Sequence, residues 1–203
     1  MFESTQSSLA TVPPAPGAGA PRERLLSLST EVPSAAGVAY LAGLDLGAWD
    51  AFDRVLALTA WERHRSWFEG CLQHALVAVG GPAPTDSRDD DWARKEVACT
   101  LRLSTTTAGM RLGVARELTG RLARTGRALQ DGAIGYRHAQ SLTDALAGFD
   151  DALARRVEAA VLVGGHPQET LSEFRKRLAR AVIAADPASA DERHETAVGT
   201  RRV

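Results

Sequence analysis

The sequence predicts an all-α fold: a compact multi-helix bundle containing a helix-turn-helix-like hairpin, with a disordered N-terminus and an irregular C-terminal tail. Three observations predict it. Apolar residues recur at three- and four-residue steps from about residue 47 to residue 184. Ala, Leu and Arg are abundant and β-branched runs are few, a composition that favours helix over strand. Gly, Pro and Asp fall where the periodic segments stop and start. The 203 residues are 44% apolar and 5% aromatic, enough for one domain whose core is Leu, Ala and Val.

Residues 1–43 read as a disordered Pro/Ala/Ser-rich segment, with one weak helical turn around Arg24–Leu28 interrupted by Pro33 and Gly37. Residues 44–185 form the helical domain. A long helix runs from about Gly47 to Val79, with Phe52, Leu56, Ala60, Trp67, Cys71, Ala75 and Leu76 as its inner face, and stops at Gly80-Gly81-Pro82. Asp91 is the predicted N-cap of the next helix, which ends in a tight turn at Arg102-Leu103. Ser104 caps a second helix, and Ala98, Leu101, Leu103, Met110, Val114 and Leu118 make the inner face of the pair. After Thr125–Asp131 come helices over Tyr136–Leu146, Ala152–Val163 (capped by Asp150 or Asp151 and closed by Gly164-Gly165) and Pro167–Ala184. These are six helices joined by short loops, followed by a polar tail over 186–203.

The hairpin over residues 92–122 carries the sharpest functional signal. Leu103-Ser104-x-x-Thr107-Ala108-x-x-x-Leu112-x-x-Ala115-Arg116 matches a turn and recognition helix, a unit that often sets its second helix in a DNA major groove. Thr107, Ala108 and Leu112 are expected inside, and Thr105, Thr106, Gly109 and Arg111 outside, with Arg116 one turn further. Small or hydrogen-bonding groups at the front of such a helix suit base edges, and Arg suits guanine or phosphate. The predicted contact set for double-stranded DNA is Thr105, Thr106, Arg111, Arg116, Arg121, Arg124 and Arg137. The competing readings are a structural or protein-interaction module whose hairpin packs inside a bundle, and a non-functional remnant, neither of which touches DNA.

Charge separates along the chain. Residues 1–91 hold six arginines against twelve carboxylates, whereas residues 92–137 hold nine basic residues against three acids. That surplus has the sign a phosphate-binding surface needs, and it equally suits a block that answers the acidic half inside one fold or across a dimer. Pairing of Arg111 and Arg116 with Asp50, Asp53, Glu62 or Glu69 would mark the charge as internal.

Other chemistry is not signalled. Cys71 and His74 sit three apart on one helix, but a zinc site needs three or four ligands and no Cys-x-x-Cys or paired-His motif occurs. The aspartates at 86, 89, 90 and 91 lack calcium-loop spacing and read as a solvated linker with a cap. No nucleophile elbow, phosphate-cradling loop or dinucleotide fingerprint is found. No catalytic residue, metal or cofactor is expected. Gly132-Ala-Ile-Gly-Tyr-Arg-His138-Ala139 resembles the helical text around the helix-turn-helix of partition-protein DNA-binding domains. Within it Ile134 and Ala139 are predicted packing residues and His138 a half-buried ring satisfied by a backbone carbonyl. The sequence shows no signal peptide and no apolar run near the ~20 residues of a membrane span. Two cysteines within helical patterns fit a reducing cytoplasm.

Trp61-Glu62-Arg63 with Trp67, Glu96-Val97-Ala98-x-x-Leu101-Arg102-Leu103-Ser104, Gly132-x-Ile134 and His138-Ala139 together resemble the 13E12-repeat proteins of actinobacteria, whose shared helical region is domain of unknown function 222. Leu178-Ala179-Arg180, Asp186-Pro187, Arg193 and Arg202-Val203 continue the likeness, which covers roughly Leu44 to Val203. The resemblance implies an all-helical domain that usually precedes an HNH nuclease module built on a His base, a metal-binding His and an Asn. His194 has no such partners in register. The expectation is therefore a non-catalytic domain, as a fragment, a truncated copy or a stand-alone relative.

Overall fold

The computed structural model describes residues 19–83, 86–163 and 169–186, and among them the regular structure is helical throughout. In chain order the helices are α1 (Gly19–Thr30), α2 (Ala35–Ala42), α3 (Ala51–Gly80), α4 (Ser87–Leu101), α5 (Thr105–Thr119), α6 (Ala123–Gln130), α7 (Tyr136–Leu146), α8 (Asp151–Val163) and α9 (Leu171–Ala185), with a short 3₁₀ turn at Leu46–Ala48. The all-α expectation holds.

α3 is the spine, 30 residues and about 45 Å long. It buries opposite faces in its two halves. Ala57, Ala60 and His64 point into α1 and α2, in a cluster with Leu25, Leu28 and Leu41. Gly70, Gln73 and Leu76 point the other way, towards α4, α5 and α6. Ala60 and Leu76 are buried, yet they stand about 160° apart around the helix at 3.6 residues per turn. The single inner stripe expected for this helix is accordingly wrong in part: Phe52, Cys71 and Ala75 are exposed, while Ala60 and Leu76 are buried. The predicted stripe drew one line along a helix that changes partners midway.

The first 43 residues are the largest correction to the expected organisation. Residues 19–42 form two helices, and Leu25, Leu28 and Leu41 are fully or nearly buried. Residues 1–18 lie outside the described set. Pro33 and Gly37 do not break this region. Pro33 sits in the link between the helices, Ser34 accepts from the Gly37 amide as N-cap of α2, and Gly37 is buried beneath the His64 ring, where a Cβ would collide with Nε2.

Further along, α4 starts at Ser87 rather than Asp91, because Asp86 accepts from the Arg88 and Asp89 amides and the next carboxylates favour the positive helix end. Ser104 caps α5 as expected. Leu76, Ala93, Val97, Ala98, Ala108, Leu112 and Ala115 tie the C-terminal half of α3, α4 and α5 into a three-helix core. Met110, expected inside, is 56% exposed. Residues 123–130, expected only as a connection, form α6. Its first turn has no cap from its own segment; the Glu158 carboxylate of α8 accepts from the Thr125 amide and hydroxyl instead. A Cβ at Gly126 would strike the Leu118 carbonyl oxygen, so glycine lets α6 cross α5 backbone to backbone.

Val114, Leu118, Leu129 and Ala139 join this core to the last layer, with Ile134 packed against them as expected. In that layer Leu142, Leu146, Leu153, Val157, Phe174 and Leu178 unite α7, α8 and α9. Asp150 caps α8 through the Leu153 amide. α9 opens at Leu171 on a capping box between Thr170 and Glu173, four residues beyond the predicted Pro167. The predicted stops at Gly164-Gly165 and the start at Pro167 lie outside the described residues. No helix among the described residues is long and apolar enough to cross a membrane.

Candidate nucleic-acid interface

The hairpin has the outline of a helix-turn-helix. α4 ends at Arg102, which takes the left-handed conformation (φ 54°, ψ 45°) and donates its amide back to the Ala98 and Cys99 carbonyls. Leu103 donates to Ala98 at 2.9 Å, and α5 begins two residues later. Glycine usually fills this left-handed position, because a Cβ there costs about 1–2 kcal/mol. Here a cationic side chain fills it, exposed to solvent.

α5 presents little charge outward. Its exposed residues are Thr105, Thr106, Met110 and Gly113. The stem of Arg94 lies over Gly109, 3.2 Å from where a Cβ would stand, and its guanidinium pairs with Asp90. The two arginines of α5 turn inward. Arg111 lies 3.8 Å from Glu69 and 5.1 Å from the centre of the Tyr136 ring. Arg116 donates to Asp90 at 2.7 Å, to the Gly80 carbonyl at 2.6 Å and to the Gly81 carbonyl at 3.1 Å. The Arg116 hydrogen bond holds the Asp90 carboxyl below its ordinary value, against the opposing effect of burial.

Arg121 is also committed. It reaches Glu117 at 2.8 Å and the carbonyls of Leu146 and Phe149, at the end of α7. Arg124 and Arg137 are exposed, on α6 and α7, and neither has an ion-pair or hydrogen-bond partner among the described residues. Of the seven predicted contact residues, Thr105, Thr106, Arg124 and Arg137 therefore face solvent. Arg111, Arg116 and Arg121 are drawn into the fold. Of the pairings that would mark the charge as internal, Arg111 with Glu69 is present, whereas Arg116 pairs with Asp90, a carboxylate outside the expected set.

Arg116 and Arg121 follow a wider pattern. The C-terminal end of a helix carries partial negative charge and unpaired carbonyls. Arg63 donates to Thr30 and Glu31 at the end of α1 and to Asp131 and Gly132 at the end of α6. Arg116 closes α3 and Arg121 closes α7. Arg177 donates to Val161 near the end of α8, and Arg156 to Ala185 at the end of α9. Arg116 and Arg121 of the basic block, with Arg63, Arg156 and Arg177 outside it, are thus struts that hold helix ends.

His138 departs from expectation. Its ring meets Phe174 edge-on at 5.0 Å, and Nδ1 is buried without a hydrogen-bond partner among the described residues. Cys71 and His74 are both exposed, and no group of three metal-ligating side chains comes together among the described residues. Two features of the interface went unmarked in the sequence reading: the cationic turn residue Arg102 and the exposed Met110. An arginine where a helix-turn-helix favours glycine was a visible signal for the first. Nothing in the local pattern distinguished the second.

No curated protein and no solved structure matches the chain. A family model described as "Domain of unknown function (DUF222)" matches residues 70–203, from the middle of α3 onward, and so takes in the three-helix core and the layer of α7 to α9. That match covers well over half of the sequence, and the chain belongs to the DUF222 family.

Proposed function

We propose that this chain is a non-catalytic helical module that touches duplex DNA with the exposed front of α5. The observation that supports it is the three-helix core of α3, α4 and α5, which leaves Thr105, Thr106 and Met110 outward beside the cationic turn at Arg102. Two threonine hydroxyls and a flexible thioether suit base edges and thymine methyls, and Arg102 with Arg94 suits the flanking phosphates. In this reading Arg111, Arg116 and Arg121 hold the helix in place rather than reading DNA. The resemblance to 13E12-repeat proteins supports a cytoplasmic, actinobacterial, HNH-nuclease-associated setting, by analogy.

Anisotropy titration of a labelled duplex against the full chain, repeated across salt concentrations, tests the proposal. Binding at low salt that falls on Arg102→Ala with Thr105→Ala and Thr106→Ala is the expected result. No binding at low salt, or binding untouched by those substitutions, overturns it. One observation favours a second reading, a structural or protein-docking module without DNA contact: the arginines of α5 are spent on Glu69, Asp90 and helix-end carbonyls. Absence of duplex binding at low salt supports that reading.

A further inference from the structure

We propose that the depression between the α5–α6 turn, α6 and α8 is a phosphate-binding site that takes the phosphodiester backbone of a nucleic acid. Four arginines line it: Arg121 from the α5–α6 turn, Arg124 from α6, and Arg155 and Arg156 from α8. The lining contains one carboxylate, Glu158. Glu158 is 2% exposed and is engaged by the Thr125 amide at 2.8 Å and hydroxyl at 2.9 Å, so it serves the first turn of α6 rather than the arginines.

The arginines differ in how far the fold uses them. Arg121 is committed to Glu117 and to two carbonyls and supplies a fixed positive wall. Arg156 gives one nitrogen to the Ala185 carbonyl. Arg155 pairs with Asp151 at 3.2 Å, but both side chains are about two-thirds exposed, where water and salt leave such a pair weak. Arg124 has no partner among the described residues. Three guanidinium forks therefore remain able to hold a tetrahedral anion, which they do better than ammonium groups because the fork matches two oxygens at once. The depression holds about 420 Å³ and opens to solvent. That shape suits a group carried on a longer chain more than a small molecule engulfed whole.

The site is separate from the front of α5, and the two proposals fail separately. Calorimetric titration of the full chain with pyrophosphate and anisotropy with a labelled duplex are run on the wild type and on Arg124→Ala with Arg155→Ala. Both residues are exposed, so unchanged helicity and melting temperature establish that the variant folds. The expected result is pyrophosphate binding by the wild type, weakened by about tenfold in the alanine pair and partly kept in a second variant, Arg124→Lys with Arg155→Lys. For the duplex, the slope of log affinity against log salt shrinks by about 2. Loss of pyrophosphate binding with duplex binding unaltered overturns the nucleic-acid assignment. Absence of pyrophosphate binding, or binding equal in wild type and alanine pair, overturns the site. Substitution at Arg102, Thr105 and Thr106 leaves pyrophosphate binding unchanged.

Discussion

α5 and the α6–α8 surface hold the same kind of residue and use it in opposite ways. On α5 the arginines run inward, to Glu69, Asp90 and the carbonyls that end α3. On the α6–α8 surface Arg124 has no partner among the described residues and Arg155 holds an exposed pair with Asp151. The difference comes from what the neighbouring elements offer each guanidinium. Arg116 sits where α3 terminates, so its guanidinium supplies partners for the partly buried Gly80 and Gly81 carbonyls. Arg124 sits on the exposed side of a short helix whose Thr125 and Leu129 are buried, and it meets no carboxylate or carbonyl among the described residues. Positive charge in a sequence therefore does not measure positive surface. Inward arginines should govern stability and leave binding alone, and outward ones the reverse.

The strongest way to break that comparison is Arg116→Met. The substitution keeps most of the apolar stem but deletes the ion pair to Asp90 and two bonds to the end of α3. Arg94 continues to pair with Asp90, so the carboxylate is not left alone. A loss of about 3 kcal/mol is expected, read by urea denaturation. A loss near zero would show that the inward bonds carry no weight, and the comparison with α6–α8 would collapse.

Gly126→Ala acts at the crossing between the two regions. The added methyl meets the backbone carbonyl of Leu118, which cannot swing aside as a side chain can. The helices must separate, at a cost of about 2 kcal/mol, whereas a glycine-to-alanine change in an open helix is mildly stabilising. The sign of the change in melting temperature decides whether α5 and α6 truly touch along their backbones.

Acid sharpens the comparison more gently. Asp90 titrates below the ordinary carboxylate value because of its Arg116 hydrogen bond, and Asp50 does so because of the Asp53 amide. A carboxylate whose folded value is depressed adds stability above its unfolded value, near 4, and loses it as pH falls through the folded value. Stability should drop below about pH 4, and Asp90→Asn should flatten part of that drop. An unchanged profile would show that the Asp90–Arg116 contact is not held in solution.

The sequence was most legible where structure is local. Ser104 caps α5 through its own side chain, and α7 starts and stops where glycine and the local apolar pattern place it. Long-range contacts defeated it. α1 and α2 looked weak alone, yet Leu25, Leu28 and Leu41 find a core only against α3. The inner face of α3 was misplaced because two partners cover opposite sides. α6 escaped notice because Glu158, 33 residues away in sequence, supplies its cap. For the candidate site, the exposure of Thr105 and Thr106 was readable from helical spacing. The inward turn of Arg111, Arg116 and Arg121 was not, since their partners come from α3, α4, the end of α7 and Glu117.

The smallest expected effect separates strain from function at the turn. Arg102 holds a left-handed backbone with a Cβ, and glycine relieves that at the price of a looser unfolded chain. Arg102→Gly should therefore stabilise by about 0.5–1 kcal/mol, a rise of roughly 2 °C in melting temperature. If Arg102 meets a DNA phosphate, the same variant binds a duplex more weakly and its salt slope falls by about 1. Gain of stability with loss of binding would mean that the strained arginine is kept for contact, as residues in sparsely populated conformations often are. Gain of stability with duplex binding unaltered would remove Arg102 from the interface. The case for α5 would then rest on Thr105, Thr106 and Met110 alone, and the α6–α8 surface would be the stronger candidate for meeting nucleic acid.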